Sequence, residues 1–197
     1  MHLPPVILAS RSPRRTDLLR QLELQFEVLP SDIPEIEHEQ LSAGELCQVN
    51  AYRKARAIAK HHPDALVIGV DTLVALGAKV FGKPSDIDEA RRMLKLLQGK
   101  THHVATGVCL LQLRSHHQKV FCEVTEVTFR SLNADDIEHY ISKVNTLDKA
   151  GAYAIQEHGD DIIRNIHGSF SNVVGLPLER LRNELADFDL DHALAAH

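Results

Sequence analysis

The sequence predicts an α/β protein with a mixed β-sheet, and three of its features support that prediction. Short apolar runs that suit buried strands alternate with stretches of helical periodicity, as in α/β folds. Two long β-rich segments, 104–113 and 120–130, are joined only by a polar turn, which predicts an antiparallel hairpin. A second hairpin is predicted around Gly77. Such hairpins interrupt the alternation, so the sheet should not be purely parallel.

Each predicted element follows from a local pattern. The predicted strands, which are apolar runs bounded by turn residues, are 6–9, 26–29, 65–75, 104–113, 120–130 and 162–166. The predicted helices, which repeat apolar residues on one face, are 13–22, 43–61, 86–98, 134–143 and one with Pro177 at its first position. Capping-box spacing marks two of their starts, Ser42 with Glu45 and Ser85 with Asp88, and Asn133 caps a third.

Composition sets limits on the class of protein. The 197 residues, 44% hydrophobic and 25% charged, suit one ordinary globular domain spanning 1–197. A net charge of −5 argues against a nucleic-acid partner. The three cysteines have no metal-ligand spacing and suggest reduced thiols. No apolar run suits a signal peptide or a membrane span, so we expect a cytoplasmic protein without a membrane partner.

Three arginines lie where the first strand gives way to the first helix, in the segment SRSPRR at 10–15. With Ser12 as N-cap and Pro13 at the first helical position, Arg14 and Arg15 lie in the first turn, where a cation costs about 0.3–1 kcal/mol. A bound phosphate would reverse that cost, because free amides, serine hydroxyls and guanidinium groups would all face one anion. The alternative is that these side chains extend into water.

Other single residues offer chemistry, each with an ordinary alternative. Asp71 follows an apolar strand, where a carboxylate can bind a metal or accept a proton, or only cap a turn. Lys83, on the tight turn FGKP, and Lys54, on the long helix, could bind phosphate, although a solvated surface is the ordinary role of such lysines. Glu35, in the acidic loop, is either a metal ligand or solvated. The paired histidines lack zinc-site spacing, and neither a dinucleotide fingerprint nor a P-loop occurs.

Several segments together resemble one family. In chain order they are LASRSPRR, PSDIPE, the Lys-Ala of YRKARAIA, GVDTLV, FGKP, LDKAGAYAIQ and SNVVGLPL. This set is similar to that of the Maf-type nucleoside triphosphate pyrophosphatases, over nearly the whole chain. The resemblance implies an elongated mixed sheet flanked by helices, with two lobes and a central cleft, similar to the inosine triphosphate pyrophosphatases. It also implies a cytoplasmic homodimer that uses Mg²⁺ or Mn²⁺ to cut a nucleoside triphosphate into monophosphate and pyrophosphate.

The resemblance also implies roles for individual residues. Asp71 is expected to be the catalytic base and, with Glu35, to bind the metal. The expected substrate-binding residues are Ser10, Ser12, Arg14, Arg15, Lys54, Thr72, Lys83 and Gln156.

Three of these positions indicate the substrate group within the family. Arg14, Thr72 and Gln156 match the group acting on dTTP and UTP, whereas the group acting on 7-methyl-GTP has Trp, Gln and Glu there. A glutamine both donates and accepts, which suits the O4 and N3–H edge of uracil or thymine. Two alternatives stay open at this point. One is a nucleotide-binding regulator of septum formation and cell division with little catalysis. The other is a clean-up enzyme for modified pyrimidine triphosphates such as 5-methyl-UTP.

Overall fold

The computed structural model describes residues 4–36, 38 and 40–195, which form one sheet with helices on both faces. The strands are β1 (Val6–Ala9), β2 (Phe26–Val28), β3 (Leu66–Leu76), β4 (Lys79–Phe81), β5 (Thr101–Gln112), β6 (His117–Phe129) and β7 (Ile163–His167). The helices are α1 (Pro13–Arg20), α2 (Ala43–Ala59), α3 (Ile87–Leu97), α4 (Ala134–Lys143), α5 (Gly159–Ile162), α6 (Phe170–Val174) and α7 (Leu178–Ala195). Short 3₁₀ turns cover Thr146–Asp148 and Ala150–Ala152.

The sheet is mixed, as predicted. Its strand order is β2-β1-β3-β5-β6-β7, with β4 paired to β3. β1 runs parallel to β2 and β3, whereas β3, β5, β6 and β7 pair antiparallel along the rest of the sheet. Both predicted hairpins are present, and Gly77, at the turn between β3 and β4, has φ of 59°. None of the helices within the described ranges is long and apolar enough to cross a membrane.

The capping predictions are partly confirmed. The capping boxes of α2 at Ser42 and of α4 at Asn133 are both present. The prediction of Ser85 as the cap of α3 is wrong by one residue, because the Asp86 carboxylate accepts the Glu89 amide at 2.7 Å. The Ser85 hydroxyl donates to the Glu89 carboxylate instead. The last helix begins one residue later than predicted, so Pro177 precedes its first residue.

The hydrophobic core is divided along β3. Leu66, Ile68 and Val70 belong to a cluster that packs α1 and α7 against one face of the sheet. Val74 belongs to a second cluster, around α3 and α4. A third cluster, on the opposite face from the first, lies under α2. Side chains alternate between the two faces of a strand, so Asp71 lies on the face of β3 under α2, opposite the first two clusters.

Two glycines let α2 lie unusually close to the sheet. A Cβ added at Gly69 would lie 2.1 Å from the Ala51 backbone oxygen. At Gly107 it would lie 2.4 Å from the Cys47 carbonyl carbon. Gly107 is the β5 partner of Asp71, so this contact brings the α2 backbone over that carboxylate.

Gly69→Ala is expected to destabilise the protein, because the new methyl group must push α2 away from β3. We expect a loss of about 2–3 kcal/mol in the free energy of unfolding, measured by urea denaturation. Gly82→Ala is the matched control, since a Cβ added there meets no atom within 4 Å among the described residues beyond its chain neighbours. Equal stability of the two variants would show that the close contact is not required.

Candidate active site

A buried carboxylate, a lysine and a second carboxylate form the centre of the candidate site. Asp71 is only 2% exposed. Lys54, from α2, places its Nζ 2.6 Å from Asp71 Oδ1 and 2.6 Å from Glu35 Oε1. Asn50, one helical turn before Lys54, donates from Nδ2 to Asp71 Oδ2 at 3.3 Å. Residues four apart lie on the same helix face, so the close approach of α2 delivers both side chains to Asp71.

The loop that carries Glu35 is tied to α2 on both sides of that residue. Asn50 Oδ1 accepts from the Ile36 amide at 2.8 Å, and its Nδ2 donates to the Ile36 carbonyl at 3.2 Å. Arg53 donates to the Pro34 carbonyl at 2.7 Å. The sequence reasoning missed Asn50, although its position four residues before Lys54 places it on the same face of the helix.

The site shifts the pKa values of the two carboxylates in opposite directions. Burial raises the pKa of Asp71, the nearby Glu35 charge adds to the rise, and Lys54 only partly offsets them. Partial burial also acts to raise the pKa of Glu35, but the Lys54 ammonium outweighs it and lowers that pKa. The proton affinity of Asp71 suits a general base better than that of an ordinary aspartate.

The same carboxylates fit a divalent cation. Their oxygens converge on a single ammonium nitrogen, which shows that the two groups can face one positive charge. Within the described residues, no group of three or more His, Cys, Asp or Glu side chains could hold a metal ion. Mg²⁺ commonly binds through one or two carboxylates, with water and substrate phosphates completing its coordination. Glu35 and Asp71 fit that mode rather than an all-protein cage.

The start of α1 faces a cavity beside the carboxylates, and Ser12 and Arg14 line that cavity. Ser12 is the N-cap and Pro13 the first helical residue, as predicted, and the Ser12 side chain makes no capping hydrogen bond. The first-turn amides and this hydroxyl are thus not satisfied by a cap. An oxyanion is the type of ligand that such a helix start binds.

The three arginines of this segment have different environments. Arg15 is largely enclosed, and burial lowers its pKa. It donates to the Gly175 and Val70 carbonyls and to the hydroxyls of Ser10 and Thr72, at 2.8–3.2 Å. Four of its five N–H groups are therefore used inside the protein, leaving one for a ligand.

Arg14 and Arg11 do not share the acceptors of Arg15, and each pairs with a different aspartate. Arg14 Nη1 lies 3.1 Å from Asp148 Oδ2, and Nη2 donates to the Asp148 carbonyl at 3.2 Å. Arg11 pairs with Asp32, and both side chains are exposed. The structure thus separates one enclosed arginine, one at the cleft and one on the surface.

Two adjoining cavities collect most of the predicted residues. One, of about 80 Å³, is lined by predicted substrate ligands, namely Ser12, Arg14, Arg15, Thr72, Lys83 and Gln156. The other, of about 780 Å³, contains Glu35 and Asn50 and shares Lys83 with the first. Lys83 is exposed at their junction, and its charge helps to lower the pKa of Glu35.

Thr72 is held by a chain of hydroxyl groups. Its Oγ1 accepts from Arg15 and lies 3.0 Å from the Thr106 hydroxyl. Thr106 donates to the Asn172 carbonyl at 3.2 Å, so Thr72 is the donor to Thr106. The sequence reasoning assigned no role to Thr106 or to Asn172, although Asn172 lies in the segment SNVVGLPL, because nothing local shows that they belong to the hydrogen-bond chain of Thr72.

Comparison with known proteins identifies the family of this chain. The family model described as "Maf-like protein" matches residues 5–188. A dTTP/UTP pyrophosphatase of Akkermansia muciniphila is 47% identical over 89% of this chain and 92% of its own. One of Desulforamulus reducens is 44% identical over 95% and 98%. Among solved structures, the Ham1 protein of Staphylococcus aureus aligns with a TM-score of 0.45 and 19% identity, over 79% of this chain and 89% of its own. The chain belongs to the Maf-like protein family.

Proposed function

We propose that this protein is a nucleoside triphosphate pyrophosphatase that hydrolyses dTTP and UTP to the monophosphate and pyrophosphate. The observation that carries the proposal is the buried Asp71, paired with Lys54 and Glu35 beside a cleft lined by cations. The relatives named dTTP/UTP pyrophosphatase support the substrate, as they are 44–47% identical over most of the chain. We propose further that the protein acts in the cytoplasm as a homodimer.

The triphosphate is held by positive charge from several elements. Arg14 and the α1 amides approach it from one side, and Lys83 from the junction of the two cavities. Ser12 and the remaining N–H of Arg15 donate further hydrogen bonds to the phosphates. Ser10 contributes indirectly, because its hydroxyl accepts a hydrogen bond from Arg15 and holds that side chain in place. A charge-assisted contact contributes about 1.5–3 kcal/mol, so losing one cation weakens binding without abolishing it.

Asp71 acts as the base for hydrolysis. Its raised pKa lets it accept a proton from a water that attacks the α-phosphorus in line with the departing pyrophosphate. Lys54 orients the carboxylate through Oδ1 and Asn50 through Oδ2. A divalent cation, Mg²⁺ or Mn²⁺, held by Glu35 and Asp71 would neutralise phosphate charge when bound. No covalent intermediate is needed.

Product analysis tests the function. The protein is incubated with a panel of triphosphates, including 5-methyl-UTP, and Mg²⁺ or Mn²⁺, and pyrophosphate is distinguished from orthophosphate. Pyrophosphate and monophosphate from dTTP and UTP are expected. Binding without turnover would instead support the regulator, and a strong preference for 5-methyl-UTP would support the clean-up enzyme. Orthophosphate as the first product would contradict attack at the α-phosphorus.

Thr72→Gln combined with Gln156→Glu is expected to shift preference away from pyrimidine triphosphates. A glutamate accepts but does not donate, so it cannot satisfy the O4 of uracil or thymine. We expect kcat/KM for UTP to fall by about tenfold or more relative to GTP, as one mispaired polar contact predicts. Gln25→Glu, an exposed change of the same charge, is the control. Unchanged preference for dTTP and UTP would refute this assignment of selectivity.

A further inference from the structure

Lys149 is a buried lysine that the proposed mechanism does not use. Its side chain is only 4% exposed, although it lines the smaller cavity. Its Nζ lies 2.7 Å from the Asn145 carbonyl, 2.8 Å from Asp148 Oδ1 and 3.2 Å from Glu157 Oε1. A lysine ammonium has three N–H donors, and all three have protein acceptors. Lys149 therefore has no donor left for a nucleotide.

One acceptor of Lys149 leads to Arg14. Asp148 binds Lys149 through Oδ1 and Arg14 through Oδ2, and its carbonyl accepts a second bond from Arg14. Partial burial opposes ionisation of Asp148, but hydrogen bonds from Lys149 and Arg14 outweigh it and lower its pKa. Asp148 is thus a charged bridge that holds Arg14 to the 3₁₀ turn beside Lys149.

The other acceptor leads to Gln156. Glu157 directly follows Gln156 in a turn whose next residue, His158, has φ of 54°. A left-handed backbone is uncommon outside glycine, so this turn needs contacts that hold it. Tyr140 fixes its start, because its hydroxyl accepts the Ala154 amide at 3.0 Å. Lys149 fixes its far side through Glu157.

We propose that Lys149 is a positioning residue for base selection, which ties Arg14 and Gln156 into one unit through Asp148 and Glu157. This inference rests on the proposed function, and it adds a determinant of selectivity that touches no substrate. Arg14 lies on α1 and Gln156 lies far along the chain, so their spacing depends on contacts between distant segments. The four charges of Arg14, Asp148, Lys149 and Glu157 alternate in sign, and they form one connected chain within the cleft wall.

Substitution of Lys149 should change the discrimination between bases more than the rate of the chemical step. Asp148 keeps Arg14 as a partner, whereas Glu157 loses its buried cation and the turn carrying Gln156 loses one anchor. Asp71, Lys54 and Glu35 belong to a separate set of contacts and keep their geometry. The expected result is a smaller difference between uracil and other bases, with little change in kcat for UTP.

The test compares Lys149→Met, Glu157→Gln and the double variant with the wild type. Lys143→Met is the control, because Lys143 makes a partly exposed pair with Asp161 in the same region. The ratio of kcat/KM for UTP over GTP is measured, together with UMP and GMP binding by calorimetry. We expect each single variant to lower both ratios by about tenfold, the double variant to lower them no further, and the control to leave them unchanged.

Each outcome decides between the inference and the function. Unchanged ratios in variants that still release pyrophosphate from UTP would overturn the inference and leave the function intact. Absence of pyrophosphate release by the wild type would overturn the function, and the ratio of UMP to GMP binding would then decide the inference. If Lys149→Met does not fold, Glu157→Gln carries the test, since the Glu157 side chain is 43% exposed.

Discussion

Asp71→Asn is expected to lower kcat for dTTP and UTP by about a hundredfold to ten-thousandfold, the range for removing a general base. Asparagine keeps the shape of the side chain and can still accept from Lys54, but it cannot take a proton from water. The substitution also removes one of the two carboxylates proposed for the cation. Steady-state pyrophosphate release at saturating substrate and cation measures the effect.

The thermal transition of Asp71→Asn should be nearly unchanged or higher. The raised pKa of Asp71 means that the folded protein holds this proton more tightly than the unfolded chain does. Ionisation above the ordinary aspartate pKa of about 4 therefore costs stability, and asparagine removes that cost. The difference in Tm from wild type should be largest near neutral pH and shrink as the pH falls below about 4.

Asp160→Asn is the matched control for this substitution, because Asp160 is exposed and accepts a hydrogen bond from Arg130 through its backbone carbonyl, which the substitution keeps. It should leave both turnover and Tm unchanged. Retained turnover in Asp71→Asn would exclude Asp71 as the base. A large fall in Tm would show that the activity loss came from unfolding instead.

Local patterns predicted the elements of this fold better than the contacts of its site. The capping boxes at Ser42 and Asn133, the glycine turn at Gly77 and the long β5–β6 hairpin all depend on residues close together in the sequence. The error at Ser85 arose because two adjacent residues can both reach the Glu89 region, and spacing alone does not choose between them.

The partners within the site required the tertiary structure. The sequence predicted both Arg14 and Arg15 as phosphate ligands in the first turn of α1, yet the structure encloses Arg15 among protein acceptors and leaves Arg14 at the cleft. That difference depends on Gly175, Val70 and Thr72, which lie far from α1 in sequence. The sequence predicted no role for Lys149 for the same reason, because nothing local shows that its ammonium is buried between two carboxylates.

Lys54→Met is expected to change both stability and the pH dependence of turnover. Lys54 is the cation shared by Asp71 and Glu35, so its loss leaves a buried carboxylate without a counter-charge. We expect a loss of about 3 kcal/mol in the free energy of unfolding above neutral pH, the lower end for removing one partner of a buried pair. Urea denaturation across a range of pH measures it.

The sign of the pH effect follows from the role of Lys54, which lowers the pKa of both acids. Without it, each acid binds its proton more tightly in the folded state. The destabilisation should therefore diminish as the pH falls and both carboxylates become neutral. For the same reason the acidic limb of the kcat/KM profile should move to higher pH, because the base must lose a proton before it can act.

Arg56→Met separates this local effect from a general loss of charge. Arg56 lies on the same helix, is exposed, and its substitution changes the net charge by the same amount. It should leave the acidic limb in place. If Lys54→Met also left that limb in place, Asp71 would not be the group whose ionisation controls turnover. If the limb moved only in Lys54→Met, the group whose ionisation controls turnover would be one that Lys54 contacts, either Glu35 or Asp71. Asp71 is the buried one of these two carboxylates and is therefore the expected base.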